Sequence, residues 1–197
     1  TRSSAASDVY KRQGQIVLPG CIDTQTHFRE PGSTDTEDLH SGSRAAIAGG
    51  ITSVFEMPNT NPPTSNMKEF QRKIDLAKNR MYCNHAFYFG ATADNADDLA
   101  SLEGLEGCCG IKLFAGSSTG NLLVAEEDDI DKVFQNASKV VAVHSEDEAI
   151  LNMNKKLIKQ GDVHTHPVWR SVECAISSTR RIVRIAEKYK KRAHVLH

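Results

Sequence analysis

Short β-rich runs alternate along this chain with stretches of helical pattern, and that alternation limits its fold more than any other feature. Residues 16–22, 51–57, 85–89, 108–114, 140–144 and 193–197 read as strands, with helix-patterned residues between them. Strands and helices alternating at this spacing mean βαβ units and a parallel sheet. Polar residues close the strands: Gln25 and His27, Asn59, Lys112, His144 and His197. Six strands also suit an open doubly wound sheet. Several strands delivering polar side chains to one mouth is instead the barrel arrangement, with the site at the C-terminal face. The expected fold is α/β, an incomplete (β/α)8 barrel with about six of its eight strands.

Helices are expected over 36–50, closed by Gly49-Gly50, and over 65–80, capped by Ser65 with Met67, Phe70, Ile74, Leu76 and Ala77 on one face. Further helices are expected over 96–105, 126–137, 146–160 and 168–191. The first strand reads as buried from Ile16 onward, because its apolar run is rich in β-branched residues. His27 and Arg29 lie two residues apart and share one side of an extended strand. One suits a metal, the other an anion.

The 197 residues are 39% hydrophobic and 25% charged, with a net charge of −1. No basic run is interleaved with aromatics, which argues against nucleic acid as a partner, and no apolar stretch reaches membrane-spanning length. The five cysteines form no CxxC pair. They read as reduced, buried thiols and point to a cytoplasmic setting. Residues 1–13 are small, polar and unpatterned, and Asp8-Val-Tyr-Lys-Arg-Gln13 resembles the translation of a transposase adapter from sequencing libraries. They are read as a non-native or disordered tail, and residues 14–197 as the partial barrel. On that reading the reading frame is cut at both ends.

One histidine at a strand end is more often structural than a ligand. His27, His144 and His197 in register make a set that suits a divalent transition metal. Lys112 lies between Ile111 and Leu113, where an ammonium is costly. Either its amine snorkels to the mouth, or it is neutral and able to form a carbamate that bridges two metals. His164-Thr-His166 is read as a loop between helices, not a metal site. The small-residue run from Gly116 to Gly120 lacks the Lys-Ser/Thr ending of a phosphate loop.

Five motifs carry a resemblance: Asp23-Thr-Gln-Thr-His-Phe-Arg-Glu-Pro-Gly32, Met57-Pro-Asn-Thr-Asn-Pro62, Gly110-Ile-Lys-Leu-Phe114, Val143-His-Ser-Glu-Asp147 and Ala193-His-Val-Leu-His197. In order and spacing they resemble the dihydroorotase family of the amidohydrolase superfamily. The resemblance implies a zinc-dependent hydrolase holding one or two Zn2+ ions. Its reaction is the reversible cyclisation of N-carbamoyl-L-aspartate to L-dihydroorotate in pyrimidine biosynthesis, by metal-activated hydroxide. It implies His27, His144 and His197 as metal ligands, Lys112 as the carboxylated bridging lysine, and Arg29 and Asn59 as holders of the substrate carboxylate.

Gln25 stands where the family has the first histidine of His-x-His. A glutamine carbonyl is a weaker ligand for zinc, so the more exposed metal would be loose or absent. The family's catalytic aspartate falls beyond His197, so these 197 residues alone are expected to be inactive. The implied partners are a small-molecule substrate and, for the full-length protein, a second copy in a homodimer; nucleic acid and membrane are not implied. Two other readings remain open: a hydantoinase or dihydropyrimidinase type of cyclic amidase, and a non-catalytic barrel homologue acting as an assembly partner.

Overall fold

The computed structural model describes residues 14–118 and 120–197. The proposed tail at 1–13 lies outside them. Six strands form one parallel sheet in chain order: β1 (Cys21–Thr26), β2 (Ile51–Glu56), β3 (Asn84–Gly90), β4 (Cys108–Phe114), β5 (Val141–His144) and β6 (Ala193–Leu196). Helix α1 (Leu39–Ala48) joins β1 to β2, and α2 (Met67–Ala77) joins β2 to β3. The next crossovers carry α3 (Leu99–Leu102) and α4 (Glu127–Asn136). Between β5 and β6 run α5 (Glu148–Asn154), α6 (His166–Trp169) and α7 (Val172–Tyr189).

Strand alternation divides the side chains between two layers. Val54, Phe87, Phe89, Ile111, Leu113, Val141 and Val143 pack against the helices, meeting Leu39, Phe70, Ile130, Phe134 and Ile182. The opposite face carries a smaller cluster of Met57, Tyr88, Ala142 and Leu196. Lys112 and His144 alternate with the helix-facing residues of β4 and β5, which puts them on this second, concave face. Register aligns the strand ends, pairing Thr26 with Glu56, Gly90 with Lys112, and Phe114 with His144. The sheet is a curled part-barrel.

Several expectations are corrected. Ile16, Val17 and Leu18 are 88, 84 and 76% exposed, and pairing starts only at Cys21, whose N–H donates to Gly50 O at 3.2 Å. Pro19 offers no N–H to a ladder, and β1 is an edge strand among the described residues. The cap of α2 is Asn66 rather than Ser65: the helix starts at Met67, and the Asn66 side chain just before it accepts the Glu69 N–H at 2.9 Å. Within α2, Met67 is exposed, while Lys73 takes a buried position with Phe70 and Ala77. All five cysteines are free, and Cys21 is exposed rather than buried. The segment 146–160 is helical only to Asn154, followed by a 3-10 turn, and α7 starts at Val172.

Candidate active site

The loop after β1 presents His27 and Arg29, with buried Phe28 pointing the other way as an anchor. Helix α1 reaches Phe28 closely because Gly42 has no side chain; a Cβ there would stand 2.3 Å from the ring. Arg29 adopts a φ of +60°, a left-handed conformation that side chains rarely take. Neighbouring contacts hold it there. Glu30 Oε2 accepts the Leu39 N–H at 2.9 Å, and Arg80 donates to both Glu30 oxygens at 2.8 and 3.1 Å. The Asn61 N–H donates to Pro31 O at 3.0 Å, tying this loop to the one that carries Asn59. Among the described residues Arg29 forms no ion pair.

Lys112 is 1% exposed, and its Nζ has no hydrogen-bond partner among the described residues. It stands 4.6 Å from the Phe114 ring centroid. Burial pulls its pKa down to about 7. Nearby, His144 Nδ1 lies 2.9 Å from His197 Nε2, and His197 Nδ1 lies 3.0 Å from Gln25 Nε2. On its other side His144 Nε2 is 2.7 Å from Glu146 Oε2, and Glu146 pairs with Arg170, which donates to Ser117 O at 2.9 Å. Burial first, then repulsion from Lys112, His197 and Arg170, lowers His144 to about 4. His27 is lowered to about 4 by burial, then by Arg29, Lys112, Lys73 and His197.

The strand ends thus bring Gln25, His144 and His197 into one chain of contacts, with His27 and Lys112 in electrostatic reach. Among the described residues no three histidine, cysteine, aspartate or glutamate side chains are already arranged to hold a metal ion. The donor chemistry nevertheless fits one. Imidazoles held neutral keep a lone pair for coordination, and a buried amine without a partner is an orphan that a ligand would satisfy. Glu146 and Arg170 lie in motifs that the sequence offers, Val143–Asp147 and His166–Ser171, but were assigned no role at the site. His164 and His166 lie in a 3-10 turn and in α6 rather than in a loop. His166 lines a cavity of about 710 Å³ with His144, Glu146, Arg170 and His197.

These neutral imidazoles make stability depend on pH. His27 and His144 have folded pKa values below the usual 6.5, so the unfolded chain binds more protons between about 4 and 6.5. Their contribution is present above 6.5 and is lost as pH falls towards 4. Thermal unfolding with a chelator present should show the midpoint falling across that window; a flat profile would contradict it.

Curled parallel strands with their polar residues at the C-terminal ends place this chain in the class of (β/α)8-barrel proteins. The chain belongs to the Amidohydrolase family, whose match covers residues 16–195. It is 33% identical over 200 residues to a dihydroorotase of Methanosarcina mazei, covering all of this chain and 43% of that protein. An allantoinase of Saccharomyces cerevisiae is 34% identical over 155 residues, covering 77% of this chain and 32% of the relative. Among solved structures, the L-hydantoinase (dihydropyrimidinase) from Arthrobacter aurescens superposes with a TM-score of 0.82 at 25% identity, over 91% of this chain and 41% of that one. The chain spans less than half the length of these relatives.

Proposed function

We propose that this chain is part of a dihydroorotase, which interconverts N-carbamoyl-L-aspartate and L-dihydroorotate. One observation carries the choice of substrate: Arg29, a guanidinium that forms no ion pair among the described residues, two residues from His27 at the mouth. A guanidinium fork suits a carboxylate that takes no part in the reaction, and dihydroorotate has one while hydantoin and dihydrouracil do not. The dihydroorotase relatives support the same reading. The L-hydantoinase likeness favours a second one, hydrolysis of a cyclic amide that lacks the carboxylate.

His27, His144, His197 and Lys112, the last as a carbamate, would hold one or two zinc ions, with Gln25 a weak ligand at most. When bound, the metal supplies acidified water and a polarised ring carbonyl. The chain's own residues do the rest. Arg29 and Asn59 bind the carboxylate and orient the ring, converting binding into alignment. Glu146 Oε2 lies 2.7 Å from His144 Nε2, which makes no hydrogen bond among the described residues, while Nδ1 is turned towards His197. Phe114 and the strand walls keep water from the Lys112 amine. The five free thiols agree with a cytoplasmic setting.

The test is an assay of the complete protein carrying this chain, supplied with zinc, on L-dihydroorotate, hydantoin, dihydrouracil and allantoin. Turnover selective for dihydroorotate supports the proposal, and selective turnover of another ring would replace it with the second reading. Arg29→Ala should raise KM for dihydroorotate about tenfold or more, with a smaller change in kcat. An unchanged KM would remove Arg29 from the carboxylate site.

A further inference from the structure

The small-residue run that follows β4 has no part in the chemistry proposed above, yet it lies at the mouth. The Val124 N–H donates to Phe114 O at 2.9 Å and closes the run at its neck. Ser118 lines the cavity that His144 and His197 share. A Cβ on Gly120 would stand 3.5 Å from the Asn59 Cβ, so the run reaches the loop that carries Asn59. Gly116 lies against the Glu146 backbone, where a Cβ would come within 2.6 Å of the carbonyl oxygen. The run thus touches both the histidine side of the mouth and the Asn59 side.

Glycine and serine bring no bulk with which such a run could fix its own course. Its position is set from outside, at Ser117. The Ser117 N–H donates to Glu148 Oε2 at 2.7 Å, and the Ser117 hydroxyl donates to Glu148 Oε1 at 2.8 Å. The Ser117 carbonyl accepts from Arg170 Nη2 at 2.9 Å. All three hydrogen-bonding groups of one residue are taken by two charged side chains from separate segments. A carboxylate can accept two donors at once, and bonds to charged groups are about twice as strong as neutral ones. Both grips are themselves held. Glu148 opens α5 and accepts from Asn152 Nδ2 at 3.1 Å, while Arg170 pairs with Glu146 and lies 4.4 Å from the Trp169 ring centroid.

We infer that Glu148 and Arg170 are positioning residues for substrate binding: by gripping Ser117 from both sides they fix the run after β4 as one wall of the substrate cavity. This rests on the proposed function of the strand-end residues as a cyclic-amide site. Neither side chain has to touch the substrate. Without the grip, Ser118 and the contact at Asn59 lose their fixed place, and the ring is held less tightly. Lys112 and His144 stay where the β4–β5 register puts them, so metal binding is spared.

The experiment compares wild type, Glu148→Ala, Glu148→Gln and Ser117→Ala in the complete protein supplied with zinc, on L-dihydroorotate. Folding is checked by circular dichroism, zinc by elemental analysis, and amide exchange of the peptide carrying Ser117 by mass spectrometry. Glu148→Ala should speed that exchange about tenfold and raise KM about tenfold, with kcat and zinc content within about twofold. Glu148→Gln still offers an acceptor to the Ser117 N–H and a donor to its hydroxyl, so its KM should stay within about threefold of wild type. Ser117→Ala loses one of the three bonds and should raise KM about threefold; should Glu148→Ala not fold, this variant still has to show the rise. Faster exchange in Glu148→Ala with an unchanged KM would make the grip a brace for the fold and overturn the inference. Unchanged exchange, or a KM in Glu148→Gln as high as in Glu148→Ala, would overturn it equally. Wild type that turns over another ring in place of dihydroorotate would overturn the dihydroorotase proposal alone, and the same comparison is then read on that ring.

Discussion

Lys112→Met should abolish zinc uptake and cut turnover of the complete protein by about a hundredfold or more, without loss of fold. Outer partners of metal ligands already cost ten- to a hundredfold, so a bridging group costs at least as much. Most substitutions of a fully buried residue destabilise. Here the replaced group is a buried amine with no hydrogen-bond partner among the described residues, and methionine matches its length without its charge. The sign of the pH dependence separates the two effects. With its folded pKa near 7 against the usual 10.5, Lys112 holds fewer protons folded than unfolded across that interval. Metal-free wild type should gain stability as pH rises from about 7 to 10. Its penalty is fully present below 7, and Lys112→Met should flatten the rise. Unchanged zinc content, measured by elemental analysis, would sink the metal role of Lys112.

Phe70→Ala should destabilise the chain by about 3–5 kcal/mol, or about 10 °C in Tm for a domain of this size. Phe70 is 2% exposed and stacks at a tilt on Phe89, with centroids 5.8 Å apart, so it ties α2 to the centre of the sheet. Its removal leaves a cavity between layers that cannot close without moving β3. Lys73 lies one turn further along the same helix face, so the cavity also loosens its buried ion pair with Glu56. A loss below about 1 kcal/mol by chemical denaturation would show that α2 is anchored elsewhere.

The alternation of β-rich and helical stretches was enough to place all six strands, because each crossover must bury an apolar helix face against the sheet. Edges were harder. The run at Ile16 has the composition of a core strand, yet no described residue pairs with it, and burial depends on neighbours that composition does not report. Lys73 was invisible for a related reason. A lysine at helical spacing from Phe70 reads as solvent-facing unless the carboxylate it meets is known, and Glu56 is 17 residues away on another element. The strand-end residues Gln25, His144 and His197 were readable because parallel register brings equivalent positions of different strands to one edge. The contacts that orient them, from Glu146 and Arg170, depend on where the α6 turn falls.

Strand order in this sheet never departs from chain order. Each strand after β1 pairs with the strand just before it, across a helical crossover that carries one α-helix up to β5 and three between β5 and β6. Loop-closure entropy is then met one neighbouring strand at a time, the β5–β6 step being the longest, and the sheet can grow at its newest strand as the chain lengthens. A chain wired this way is suited to gaining structure during synthesis, with each newly emerged βα unit docking on an edge that is already formed.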